Sequence, residues 1–370
     1  MPEPSIHDIL FDSFPASGKV EWLQRASLEL PDKNPVENLT WQIDGLKFYP
    51  YYAKSDLKEI EDQKNFHGPL VYTSAGWVNT PEVTVIDERS SNANALKYLA
   101  AGADGILFNV IDREGFDIES LLQKINWNFC ALSFMTNDTK IATKIFEYAT
   151  QKNYDPSKLG GSIFWKSLPD PKELKSVIEN TRCTLHLIGI IVPPASAIKE
   201  ISTSIRQAVQ LMDALTDMGI NRETVFRSIS LSLICDENFF ITIAKLKALR
   251  SLWYQLSQAF EIQGYVPDDL HIHCRSQNHV EEQYNPHGSM IQNTVQALSA
   301  VLGACNALTL PSGEANEMSQ RVALNVCNIL KEESHIDKVA DPLAGSYAME
   351  NFVYEISKAA WKDFQNNLQA

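Results

Sequence analysis

The stretch Val83–Val110, VTVIDERSSNANALKYLAAGADGILFNV, decides how this chain is read. It opens on a short β-branched apolar run (83–87) and passes into a segment whose apolar residues recur at helical spacing (91–101). It then turns through AAGADG and closes on a second apolar run, GILFNV (105–110). A strand, a helix and a strand in that order make a unit whose two strands run parallel, because the crossover returns the chain to the end where it began. The pattern then repeats. Strands are predicted at CALSF (130–134), GSIFW (161–165), TLHLIGI (184–190), SISLSL (228–233), LHIHC (270–274) and CNALTL (305–310). Helices are predicted at 117–125, 138–151, 171–179, 197–218, 238–261, 289–302 and 315–333. Eight alternating units predict an α/β fold of the (β/α)8 TIM-barrel type. An open doubly wound sheet is disfavoured because nothing like G-x-G-x-x-G follows the first strand.

Residues 1–65 have a different texture. Six prolines (Pro2, Pro4, Pro15, Pro31, Pro35, Pro50) share this stretch with Trp22, Trp41 and the run KFYPYYAKSDL. Dense proline discourages long helices, and so many aromatic rings are not left in water. The expectation is an extended N-terminal arm over 1–65, lying on the chain's own barrel or on a partner. The barrel follows over 66–350 and a terminal helix over 351–370.

Composition narrows the function. Apolar residues make up 44% and charged residues 21% of the 370, and the net charge is −14 with a pI near 5.1. Such a balance excludes a nucleic-acid or anionic-membrane surface. The six cysteines are scattered, without a C-x-x-C pair, and several lie in apolar runs. That is the usage of reduced core thiols. With no basic, apolar leader at the N-terminus and no run of membrane-spanning length, a cytoplasmic protein is expected.

Four of the eight histidines fall in one stretch, HIHCRSQNHVEEQYNPH (271–287), the seventh predicted strand and the loop after it. Barrel chemistry sits on loops leaving the C-terminal ends of strands, so the position suits a site. On a strand His271 and His273 share a face, and one reading is a metal-dependent barrel hydrolase that uses them as ligands. The other reading has them hydrogen-bonded inside the barrel mouth. His186 is the only other strand histidine, and no acidic residue closes the sixth or eighth strand, which leaves a metal set incomplete. No G-x-S-x-G, P-loop or H-E-x-x-H motif offers a nucleophile or another cofactor site.

The most specific segment runs from Thr294 to Glu350: TVQALSAVLGACNALTL, RVALNVCNILKEES and VADPLAGSYAME. These motifs, with AKLKALRSLWYQL (244–256) and LAAGADGILF (99–108), resemble the methylmalonyl-CoA mutase family, whose barrel ends in D-P-L-A-G-S-Y. Asp341–Tyr347 reproduces that motif in full. The opening FPASGKVEWL and PVENLTWQIDGLKFYPYYAKSDL are similar to the segment by which family members wrap a partner subunit. The resemblance implies a TIM barrel, adenosylcobalamin-dependent interconversion of methylmalonyl-CoA and succinyl-CoA, and a heterodimer.

The departures bear on activity. Family catalysts carry S-G-Y-H after the fifth strand, where the tyrosine and histidine work on the cofactor bond and the thioester carbonyl. LIGIIVPP stands here, with Ile190 and Ile191 in their place. An alkyl group donates no hydrogen bond. PEVTVIDERSSN lacks the aromatic and arginine contacts of the family's substrate channel, and the loop after the eighth strand is shortened. The loop after the seventh strand keeps His273-Cys274 but loses the family's polar substrate pattern, leaving His273, Arg275 and His279 as residual pocket candidates. The chain is also expected to lack the family's C-terminal cobalamin-binding domain. The resemblance thus implies a small, catalytically silent subunit, a pseudoenzyme that binds no cofactor or metal itself. It would stabilise a homologous large subunit that carries adenosylcobalamin and the isomerase activity. The alternative is a catalytic acyl-CoA mutase barrel whose cobalamin domain is a separate chain.

Overall fold

The computed structural model describes residues 18–31, 33–57, 76–111, 115–181, 184–236, 238–277, 288–311 and 317–368. Its centre is a parallel sheet built from β1 (two segments, Val78–Asn79 and Glu82–Val85), β2 (Gly105–Val110), β3 (Ala131–Thr136) and β4 (Ser162–Trp165). The sheet continues through β5 (His186–Ile191), β6 (Ile229–Cys235), β7 (His271–Ser276) and β8 (Ala307–Thr309). The first segment of β1 pairs with β8 and the second with β2, all in parallel. Thr80 donates its amide to Leu308 O (2.9 Å), while the carbonyl of Pro81 accepts from Leu107 N (3.1 Å). One strand therefore bonds to both edges of the sheet, and the sheet closes into an eight-stranded barrel. The interruption falls at Pro81, which has no N–H to place in a ladder.

Each strand is followed by a helix, labelled here by barrel position: α1 (Glu88–Ala100), α2 (Ile118–Leu121), α3 (Thr139–Gln151), α4 (Pro171–Asn180), α5 (Ala197–Asp217), α6 (Phe239–Ala259), α7 (Gly288–Leu302) and α8 (Glu317–Asn328). A ninth, α9 (Tyr347–Leu368), packs against α5 and α6. Asp87, Asp138, Asp170, Ser196 and Asn238 each cap the helix that follows, a side-chain oxygen accepting one of its free amides. Each such cap stabilises by about 1 kcal/mol. Two helices differ from the sequence expectation. α2 stops at Leu121 because Lys124 adopts a left-handed conformation (φ 62°) that turns the chain inward to bury Ile125 and Trp127. The predicted helix 315–333 is α8 followed by a π-helical turn, Ile329–Glu333, from which Lys331 reaches Asp104.

The expectation of an extended arm needs correction over residues 18–57. This part of the chain forms a helix (Lys19–Glu29), a short helix (Pro35–Leu39) and a two-stranded hairpin (Trp41–Ile43 with Leu46–Phe48). The prolines punctuate these elements rather than prevent them. Pro31 lies beyond the end of the first helix, and Pro35 occupies the first turn of the second, behind the Asn34 cap. There the missing amide costs nothing. The hairpin turns at Asp44-Gly45, both at positive φ (55° and 79°), the requirement of a two-residue reverse turn. Its Trp41 and Phe48 pack edge-on to Phe352 of α9, and Asp44 accepts from the Ala197 amide. The aromatic residues that argued for a surface thus cover the chain's own C-terminal helix. Prolines 2, 4 and 15 lie outside the described residues.

Helix α6 carries three buried cations. Lys245 donates to Glu200 of α5 (2.7 Å) and to Ile234 O (2.9 Å). Lys247 holds both oxygens of Asp341, at 2.5 and 2.6 Å, and Arg250 bonds the carbonyls of Pro267, Leu270 and Ala304. No described helix is long and apolar enough to cross a membrane. Removing one member of a buried ion pair strands the other charge, at about 3–5 kcal/mol, whereas replacing both is close to neutral. Lys245→Met is expected to lower stability by about that amount in urea unfolding. Combining it with Glu200→Leu should recover most of the loss. A double variant no more stable than the single one would contradict the pairing.

Candidate functional site

Strand alternation sorts the residues of β7. Ile272 and Cys274 face the helices and join the main core. His271, His273 and Arg275 point into the barrel and spread along its axis. His273 is buried: Nδ1 lies 2.9 Å from Ser232 Oγ and Nε2 lies 2.9 Å from Thr309 Oγ1. The Thr309 hydroxyl donates to Thr80 O at 2.5 Å, so toward His273 it accepts. Nε2 therefore carries the proton, and Nδ1 accepts from Ser232. Both nitrogens are committed, and neither offers a lone pair to a metal.

His271 sits one turn of the pleat nearer the N-terminal end of the barrel. Its ring lies against that of His186 (centroids 4.8 Å apart), and Nδ1 is 3.4 Å from Ser162 Oγ. The H-x-H pair is thus divided between two separate networks, which removes the metal-hydrolase reading of His271 and His273. Among the described residues, no group of three or more His, Cys, Asp or Glu side chains is placed to hold a metal ion.

Arg275 stands at the C-terminal mouth. Its Nη2 donates to Glu82 Oε2 (2.8 Å) on β1, and Glu82 Oε1 accepts from Asn109 Nδ2 (2.7 Å) on β2. These three side chains tie β7, β1 and β2 across the opening. A cavity of about 340 Å³ adjoins them, lined among others by Asn79, Tyr98, Arg275, Pro311 and Gln320. His279 lies outside the described residues. Glu82, Asn109, Ser232 and Thr309 were missed by the sequence reading. Alternation along each predicted strand was the signal that could have placed them on the inner face.

Farther inside, Leu107, Met135 and Phe164 form a small apolar cluster separate from the main core, with Ile191 packed on it. The two isoleucines of β5 therefore part company. Ile191 faces this interior, whereas Ile190 is buried in the layer between barrel and helices. Their shared placement at one site, implied by the sequence, needs correcting in that respect, because neighbouring strand residues face opposite ways. A bulge sets the phase: Ser162 pairs with His186 but Phe164 with Gly189, leaving one extra residue on β5. Gly189 also makes room for Phe164, since a Cβ there would lie 2.6 Å from its ring and 2.3 Å from Ile163 O.

Comparison with known proteins adds ancestry to this geometry. The family profile described as methylmalonyl-CoA mutase matches residues 193–368, from the end of β5 through α9. The methylmalonyl-CoA mutase small subunit of Porphyromonas gingivalis is 24% identical over 396 residues, an alignment covering 96% of this chain and 63% of that protein. By these matches the chain is similar to methylmalonyl-CoA mutases. The small subunit from Streptomyces virginiae is 33% identical over 178 residues, covering 46% of this chain and 28% of its own, and the Escherichia coli methylmalonyl-CoA mutase is 24% identical over 92% of this chain and 57% of its own. The chain thus spans less than two thirds of the length of these mutase relatives. Among solved structures, the Yersinia pestis dihydropteroate synthase overlaps with a TM-score of 0.41 at 14% identity, covering 80% of this chain and 99% of that one, too distant to argue from. The mutase match includes β6 to β8 and the buried cations of α6, while Ile191 and the apolar cluster lie in the part outside the profile.

Burial holds all three barrel histidines neutral: it lowers His186 and His271 below their usual range and His273 to about 3. Each takes up a proton on unfolding at an ordinary pKa of about 6.5, so below that pH the unfolded state binds more protons. Their stabilising effect is complete above about pH 6.5 and declines as pH falls below it; for His273 the loss runs toward about pH 3, at up to about 1.4 kcal/mol per pH unit. His273→Gln is expected to flatten the decline between pH 6 and 4 by about 1 kcal/mol per unit in urea titrations. Identical slopes in the two proteins would contradict a neutral, buried His273.

Proposed function

We propose that this chain is the small, catalytically silent subunit of a heterodimeric, adenosylcobalamin-dependent methylmalonyl-CoA mutase, and that it stabilises a homologous large subunit that performs the isomerisation. One observation carries the reading. The place where a mutase barrel needs an imidazole and a phenol near its reacting centre holds the alkyl group of Ile191, packed on Leu107, Met135 and Phe164. The mouth above is bridged by Arg275, Glu82 and Asn109. These residues do not fit a corrinoid or an acyl thioester. The inward groups at this level are apolar, and the nearest imidazole, His273, is committed on both nitrogens. No catalytic step is assigned to this chain, and adenosylcobalamin belongs to the large subunit in this reading.

The small-subunit names of the Porphyromonas and Streptomyces relatives support a partnered role. So do the exposed aliphatic side chains Val20, Leu23 and Leu28 on the N-terminal helix, which suit an arm that reaches a second chain. The free thiols Cys130, Cys235, Cys274, Cys305 and Cys327 support a reducing, cytoplasmic setting. A catalytic barrel served by a separate cobalamin chain is disfavoured by the same Ile191 cluster.

The purified chain with added adenosylcobalamin is expected to give no turnover of methylmalonyl-CoA. Co-expressed with the large mutase subunit, it should co-purify and raise that subunit's melting temperature. Turnover by the chain alone would end the reading, as would failure to associate with the large subunit.

A further inference from the structure

We propose that the cavity beside Arg275 and Glu82 binds a free α-amino acid with an apolar side chain, held by both of its charges. The inference goes beyond the subunit reading and does not depend on it, because the site is built from this chain alone.

The cavity follows from the seam in the barrel wall. Beyond Pro81, the segment Glu82–Val85 pairs with β2, and β8 ends at Thr309 after pairing with Val78 and Asn79. No strand pairing therefore closes the wall between β1 and β8 above Thr80, and Leu310 and Pro311 line the gap instead. The space of about 340 Å³ lies across this gap. Glu82 and Arg275 stand on its barrel side, whereas Tyr98 of α1 and Gln320, Ala323 and Leu324 of α8 stand on its helix side. Asn79, which also borders it, turns its amide to Leu324 O of α8. The cavity is thus set beside the barrel axis, clear of the apolar cluster around Ile191. Its size falls at the lower end of the ~300–1,000 Å³ of small-molecule sites.

The polar groups here contrast with those deeper in the barrel. The hydroxyls of Thr84 and Tyr98 and the carboxamide of Gln320 have no hydrogen-bond partner among the described residues, and none of them is sealed in the core. Arg275 meets Glu82 through Nη2 alone, which leaves Nε and Nη1 as spare donors. Each Glu82 oxygen accepts one bond, from Arg275 or from Asn109, and keeps a second lone pair. A few unspent polar groups around an otherwise apolar space are what fixes the orientation of a small ligand.

Charge selects that ligand. Among the lining residues Arg275 and Glu82 carry the only charges, and they cancel. A simple anion is repelled by Glu82 and a simple cation by Arg275, but a zwitterion is attracted by both. Its carboxylate takes the spare donors of Arg275 and its ammonium the spare lone pairs of Glu82, which keeps the 2.8 Å bridge between them intact. The two side chains are only 29% and 23% exposed, so salt screens these contacts weakly. The apolar part of the ligand has Leu310, Pro311 and Leu324 to lie on, with Tyr98 and Gln320 completing the polar lining.

Isothermal titration calorimetry tests this with L-phenylalanine and L-leucine as probes. Each is expected to bind with one site per chain. Two analogues, 3-phenylpropionate without the ammonium and phenethylamine without the carboxylate, should each bind at least about tenfold more weakly than L-phenylalanine. Tyr98→Phe and Gln320→Leu each remove one polar group at a partly exposed position and should weaken L-phenylalanine by about threefold. Glu82→Gln combined with Arg275→Gln removes both charges together, which spares the fold, and should weaken it at least about tenfold while the circular dichroism spectrum stays unchanged. Failure of both amino acids to bind would overturn the proposal, as would an analogue that binds as tightly as L-phenylalanine. Binding undiminished by all of these substitutions would overturn its placement in this cavity.

Discussion

The closure of the sheet at β1 is the constraint on which the other features depend. A strand that must bond to β8 on one side and β2 on the other fixes which residues look inward around the whole ring. Pro81 divides the work, so that the residues before it serve one edge and those after it the other. Because of this closure Arg275 of β7 meets Glu82 of β1, a pair separated by most of the chain. Thr309 comes to stand between His273 and the Thr80 carbonyl for the same reason. In an open sheet these groups would sit at opposite edges.

The barrel interior mixes hydroxyls, imidazoles and a compact apolar cluster, and each polar group is handled differently. His273 is fully engaged as donor and acceptor, His271 leans on His186, and Arg275 is neutralised by Glu82. An enzyme site keeps donors or bases aimed at a substrate and unspent until it arrives. Here His273, Ser232 and Thr309 are spent on one another, and Arg275 on Glu82. That is the chemistry of a filled barrel.

The motifs that carry the family likeness most strongly also turn out to be structural. Asp341 of D-P-L-A-G-S-Y receives Lys247, and Arg250 ties the loops entering β7 and β8 to α6. Buried cations of this kind tolerate little change, since losing either partner strands the other. They belong to the scaffold of the barrel.

Local sequence determined the order and kind of the elements. Each strand run and each capped, periodic helix is a short-range pattern, so all eight β–α units were legible from 83 to 333. The N-terminal segment misled because proline density was weighed as composition, while what matters is position: Pro35 initiates a helix, and Asp44-Gly45 signals a hairpin. Tertiary structure alone decided the remainder. Facing depends on register, and the bulge between β4 and β5 shifts that register by one residue, sending Ile190 outward and Ile191 inward. The fate of His271 and His273 depended on partners 36 to 109 residues away, and a linear motif holds no record of distance through space.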